Sequence, residues 1–269
     1  MVPTLSIVFM GCTFVFVIAA AVILPILIKK KHSTAIEPYF IGTAVFIVFA
    51  LILESLMHTV VLSATGKAIT GNMWLYALYG GFAAGIFEET GRFLAMKFVM
   101  KKHHGNPGNA LMYGAGHGCC EAVLLIGLSM LTNISFSVLI NSGQTALLLS
   151  HVPAEATEQL ETMISQLKEM PSYMFLLSSF ERVSAIMFHI SASVLVWTAV
   201  VKKKIFFYPL AIILHAFLDG VLVILQQKSV NNIVLEAVLF VISLGIAVFA
   251  LLVWKKELRG AATETAETA

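Results

Sequence analysis

Charge is what this chain most conspicuously lacks. Only 12% of its 269 residues are Asp, Glu, Lys or Arg, against about 25% in a soluble domain. Cysteine is scarce as well. Three cysteines, two of them adjacent (Cys119 and Cys120), give no disulfide framework. No glycine-rich phosphate loop is present, and no basic-aromatic surface of the kind that binds nucleic acid. No period of 20–50 residues repeats, which excludes solenoids and propellers. The chain starts without a basic n-region and its first apolar run is span-length, so cleavage as a signal peptide is not expected.

Apolar residues fill the space those absences leave. They make up 59% of the chain, and the mean hydropathy is +0.91. The composition predicts an all-α polytopic membrane protein lying in a lipid bilayer. Runs of about 20 apolar residues mark spans. Seven are expected: Leu5–Ile28, Ile36–Leu62, Met73–Met100, Gly108–Leu131, Ser172–Val201, Ile205–Gln226 and Asn232–Trp254. Lysine and arginine orient them. Lys29–Lys31, Lys97 with Lys101 and Lys102, Lys202–Lys204, and Lys255 with Lys256 and Arg259 fall in every second connection. The N-terminus is therefore expected outside and the C-terminus in the cytoplasm.

One membrane domain over 1–259 is expected, with a four-helix catalytic core of helices three to six over 73–226. A tail over 260–269 is small, polar and expected to be disordered. The outer connection 132–171 carries Leu160, Met163, Ile164 and Leu167 at helical spacing, with Glu155, Glu158, Glu161 and Glu169 between them. This predicts an amphipathic helix, lying at the membrane interface or solvated as a loop helix.

The few charges lie where they cost most. Glu88 and Glu89 are adjacent inside an expected span, and an acid at a helix centre costs roughly 2.5 to 3.5 kcal/mol. Arg92 follows three and four residues later, close enough to hold one carboxylate. The next spans add His117 with Glu121, then His189, then His215 with Asp219. At about 1.5 Å per residue, all of these fall in one slab of the membrane. Gly81, Gly85, Gly114 and Gly118 repeat at four-residue spacing, which lets helices approach closely and brings the polar faces together.

Three histidines from three helices predict a divalent metal site, zinc by preference, at His117, His189 and His215. Glu88 or Glu89 would take a proton from water. Glu121 and Asp219 would be further ligands or partners of a histidine N–H. The same residues allow a metal-free route in which one glutamate activates water directly. They also allow a proton- or cation-coupled transporter, although no inverted repeat is visible. A catalytically silent scaffold is a further reading, and the intact glutamate pair argues against it. Outside this group, Glu54 with His58, and Glu181 with Arg182, read as packing or gating pairs nearer the outer surface. His103 and His104, in a charged loop, are expected to be solvated. Cys119 and Cys120 are expected to be packing residues.

The glutamate pair with its arginine, then Phe188-His189, then His215-Ala-Phe-Leu-Asp219, resembles the three motifs of the CAAX-protease and bacteriocin-processing superfamily. Gly116-His117-Gly-Cys-Cys-Glu121 and Glu181-Arg182 are similar to the YhfC branch of intramembrane metalloproteases, and to the related PrsW proteases. The resemblance implies a protease cleaving membrane proteins or lipidated peptides in a prokaryotic cell membrane. It implies the general-base role for Glu88, and catalytic or ligand roles for His189 and His215. Two residues separate the pair from Arg92 where the superfamily usually has three. Ala185 stands where its second motif has phenylalanine, and Asp219 stands where the third often has asparagine.

Overall fold

A computed structural model describes residues 1–150 and 153–259. The expected tail over 260–269 lies outside the described residues. No strand occurs among the described residues. Eight long helices carry the fold: α1 Thr4–His32, α2 Glu37–Thr65, α3 Met73–Leu94, α4 Gly108–Asn141, α5 Ala154–Glu169, α6 Tyr173–Val201, α7 Phe207–Gln227 and α8 Asn232–Leu258. Helix α3 continues in a wider π-type turn over Ala95–Val99.

Six of these, α1, α2, α4, α6, α7 and α8, are long and apolar enough to cross a membrane. The remaining expected span, Met73–Met100, is helical through Val99, but Glu88, Glu89, Arg92 and Lys97 leave it less apolar than the rest. Its start is well defined. Asn72 Oδ1 accepts from the backbone N–H of Trp74 at 3.0 Å and of Leu75 at 3.1 Å, an N-cap on the first turn. Gly66, at φ +51°, supplies the left-handed turn between α2 and the segment leading to α3.

Two units can be distinguished by internal packing. One comprises Met1–Ala20 and Glu121–Arg182. Its core joins Met10, Met130, Ile140 and Phe175 with Ile164 and Leu167 of α5. The apolar stripe of α5 is thus covered by protein from its own unit, and Leu160 packs beside it. Glu158, Glu161 and Glu169 stay exposed on the other side of the helix. Thr13 Oγ1 donates to the Phe175 carbonyl at 2.6 Å and shares a hydrogen bond with Ser179 Oγ at 2.7 Å.

The other unit comprises Ala21–Cys120 and Val183 onward. Small residues organise it. A Cβ on Gly81 would strike the Ala216 carbonyl, and one on Gly85 would come within 2.8 Å of the Ile212 carbonyl, so α3 lies directly on α7. A Cβ on Gly114 would lie 2.6 Å from Ile190 Cα, and one on Gly118 3.0 Å from Ile186 Cα, so α4 lies directly on α6. The expected glycine contacts are all present. Gly42 of α2 adds another, against the Tyr113 carbonyl and the His117 backbone nitrogen.

Basic residues collect at one end of this unit. Lys204 Nζ contacts Glu257 Oε2 at 2.6 Å, Lys102 Nζ is 3.8 Å from Glu37 Oε1, and the His32 ring meets Trp254 edge-on at 5.8 Å. The loop carrying His103 and His104 belongs here, and it is not solvated as expected. Asn109 Nδ2 donates to the His103 carbonyl at 2.9 Å, and the His103 side chain is buried. His104 Nε2 donates to the Met96 carbonyl at 2.8 Å and its ring sits edge-on to Trp197. A short helical turn over Lys101–His103 folds the two rings inward while the lysines point out.

Candidate metal centre

All four helices of the expected core bring ionisable groups together in the second unit. Glu88, Glu89 and Arg92 come from α3, His117 from α4, His189 from α6, and His215 with Asp219 from α7. All except Asp219 are buried. Their positions follow from the glycine contacts, because each close approach lies within one or two turns of a charged residue.

The two carboxylates have different partners. Arg92 Nη1 donates to both oxygens of Glu89, at 2.6 and 2.5 Å. His215 Nδ1 lies 2.9 Å from Glu89 Oε1. A carboxylate held by a guanidinium accepts, so His215 donates its Nδ1–H. Arg92 Nη2 lies 3.1 Å from His189 Nδ1. A guanidinium has no acceptor, so Nδ1 of His189 presents its lone pair to Arg92. One arginine therefore fixes a carboxylate of its own helix and a ring of another. The cation also lies 6.0 Å from the centre of the Tyr113 ring.

Glu88 points toward the histidines instead. Its Oε2 is 2.7 Å from His117 Nε2 and 3.9 Å from His189 Nδ1. Glu88, His117 and His189 form a group whose ligand atoms all lie within 4.8 Å of one another. Two imidazoles and one carboxylate are the donor set of a zinc-type centre with an open position, so these residues fit a divalent ion. His215 stands beside this group. In the neutral ring its Nε2 is the free acceptor, 4.0 Å from Glu88 Oε1 and 3.5 Å from Asp219 Oδ2. Phe46 packs edge-on to His117 at 5.2 Å, and Phe188 packs against His215 at 4.8 Å and His189 at 5.4 Å.

Of the residues expected at the site, seven are thus brought together in one unit, and the three-residue donor group takes Glu88 where the sequence suggested His215. Glu121 belongs to the first unit. Its Oε1 accepts from Arg182 Nη1 at 2.6 Å, and Arg182 also binds both oxygens of Glu181. Sequence reasoning overlooked Tyr113, Phe46 and Tyr79. Tyr79 Oη lies 2.7 Å from His58 Nδ1, whose Nε2 is 3.1 Å from Glu54 Oε1. A tyrosine inside an apolar run, within about three turns of a charged residue, is the signal that could have found Tyr113 and Tyr79; Phe46 carries no such signal.

The architecture and the buried group define a multi-pass integral membrane protein with a candidate metal centre among its helices. The chain belongs to the YhfC intramembrane metalloprotease family, whose pattern matches residues 14–240. It is similar to the uncharacterized membrane protein YhfC of Bacillus subtilis (strain 168), with 39% identity over 207 residues, covering 76% of this chain and 79% of that protein. No solved structure matches.

Proposed function

We propose that the protein is an intramembrane metalloprotease that hydrolyses peptide bonds of membrane-anchored substrates. The observation that carries this reading is the buried Glu88, His117 and His189 group, with ligand atoms within 4.8 Å of one another. A buried cluster of two histidines and an acid is expensive in a membrane unless it is used. Helix α3 is the seventh span in this reading. The N-terminus is outside and the C-terminus cytoplasmic, supported by the lysines gathered at one end of the second unit.

Glu88, His117 and His189 would hold a divalent ion, zinc by its donor set. Such an ion supplies Lewis acidity that brings a bound water into the range of a neutral-pH nucleophile. The remaining work belongs to the chain. The two oxygens of Glu88 have different neighbours, Oε2 facing His117 and His189 and Oε1 facing His215. We assign Oε1 as the acceptor of the proton from the attacking water. His215, oriented at Nδ1 by Glu89, presents Nε2 between Glu88 and Asp219 and passes that proton to the leaving amine. Arg92 positions Glu89 without touching substrate, and its contact with His189 Nδ1 would be given up when the one lone pair of that neutral ring is turned to the ion. The phenyl rings of Phe46 and Phe188 keep bulk water from the histidines. Glu121 is assigned a structural part, as the partner of Arg182.

Glu88→Gln tests the reading. In proteoliposomes with a fluorogenic membrane-anchored peptide, the variant should fold normally and lose cleavage by about 10²- to 10⁴-fold. Cleavage at the wild-type rate would refute the role given to Glu88.

A further inference from the structure

Past the site, on the side away from the lysines, polar side chains of the second unit are linked to one another. Measured from the lysine end at about 1.5 Å per residue, His117, His215, Glu88 and His189 lie roughly 12 to 18 Å in. Asp219 is at about 18 Å, Glu54 at about 25 Å, and His58 and Tyr79 at about 30 Å. Glu54 is near enough to Glu88, His215 and Asp219 to interact with each electrostatically. His58 then bonds both Glu54 and Tyr79. The side chains beyond the site are all more exposed than Glu88. The Glu88 side chain is 9% exposed, Glu54 12%, His58 32% and Asp219 34%.

The other direction is closed. Between the site and the lysine end lie Met96, Met100, Tyr113, Leu195 and Trp197, none with any exposed surface. They form one continuous apolar core with Val253 and Trp254. The polar contacts on that side are isolated from one another: Thr90 Oγ1 with Tyr208 Oη at 2.8 Å, and Asn109 Nδ2 with the His103 carbonyl at 2.9 Å. Water cannot cross such a packed layer without disrupting it. Asp219, in contrast, is a carboxylate about one-third exposed at that depth, and its open side calls for a polar surrounding.

We propose that water and the scissile segment of the substrate reach the site from the end of the unit opposite the lysines, along a polar route walled by Asp219, Glu54, His58 and Tyr79. Residues of the substrate that follow this route are extended and hydrated, so the cleaved bond lies on the side of the membrane away from the lysines. The inference rests on the hydrolytic reading of the site but is stated relative to the lysines, so it can fail independently.

Single cysteines test it in a background lacking Cys12, the exposed native thiol. His58→Cys and Tyr79→Cys probe the route, and Lys203→Cys marks the lysine end. The protein is reconstituted in sealed vesicles, and a charged, membrane-impermeant thiosulfonate is added to either face. His58→Cys and Tyr79→Cys should be modified from the face opposite the one that modifies Lys203→Cys. Modification of His58→Cys should slow cleavage of the anchored peptide by at least about tenfold, the effect of obstructing access by more than 1.4 kcal/mol. Modification of both probes from the Lys203→Cys face, or of neither from any face, overturns the route. The expected labelling in a wild-type protein that cleaves no anchored peptide would instead overturn the hydrolytic reading and leave the route standing.

Discussion

Arg92 offers the sharpest test of how this site is held together. It makes three polar contacts, with the two oxygens of Glu89 at 2.6 and 2.5 Å and with His189 Nδ1 at 3.1 Å. Neither Arg92 nor Glu89 has exposed surface. Arg92→Met keeps most of the side-chain volume and removes all three contacts. Glu89 is then a buried carboxylate facing only the N–H of His215. Breaking a buried pair from one side costs about 3 to 5 kcal/mol, most of it the unpaired charge left behind. Replacing both charges, in Glu89→Gln with Arg92→Met, leaves no such charge, and neutral replacement of buried pairs is often tolerated. The double variant should therefore be more stable than Arg92→Met alone, by roughly 2 kcal/mol. Reversible unfolding by sodium dodecyl sulfate in mixed micelles measures the difference. A double variant less stable than Arg92→Met would show that the two side chains contribute independently, and the account of the pair given above would be wrong.

Two further outcomes follow from the same geometry. His117→Ala removes one of three donors from the candidate centre, so metal bound after equilibration with zinc should fall from about one ion per chain to well under half, read by mass spectrometry of the purified protein; unchanged zinc content would move the ion elsewhere. Gly114→Ala places a methyl group 2.6 Å from Ile190 Cα and 2.8 Å from the His189 carbonyl, so it should cost about 1 to 3 kcal/mol and lower activity by shifting His189. Gly80→Ala, with nothing within 4 Å of its added Cβ, should change stability by no more than about 0.5 kcal/mol.

The six apolar spans could be read from the sequence because lipid imposes length and hydropathy directly. The glycine spacing was equally plain, since nothing else explains Gly81, Gly85, Gly114 and Gly118 at four-residue intervals in apolar helices. Pairing within the polar group was less legible. Spacing allowed Arg92 to take either glutamate, and His117 to take Glu121 one turn away. The structure turns Glu88 toward His117 and gives Glu121 to Arg182, 61 residues further on. Both outcomes depend on the azimuth at which helices pack, which a single chain's periodicity does not fix. The same holds for His103 and His104, whose inward turn rests on Asn109 and on the Met96 carbonyl. The α5 stripe was visible as amphipathic, but a stripe does not say whether lipid, water or protein covers it.

The composition of α3 bears on how the protein is made. Three charged residues within five positions, at a few kcal/mol each, leave little reason for this helix to partition into lipid by itself as it emerges from the ribosome. Its stable burial depends on partners that arrive later in the chain: His189 about a hundred residues on and His215 further still. If α3 is the seventh span as proposed, its membrane integration and the completion of the polar cluster are therefore one event. A nascent chain that stops before α7 carries an α3 whose Glu89 still lacks its His215 partner, and a protein-quality system could recognise it by the same carboxylates to which the proposed reaction assigns the chemistry.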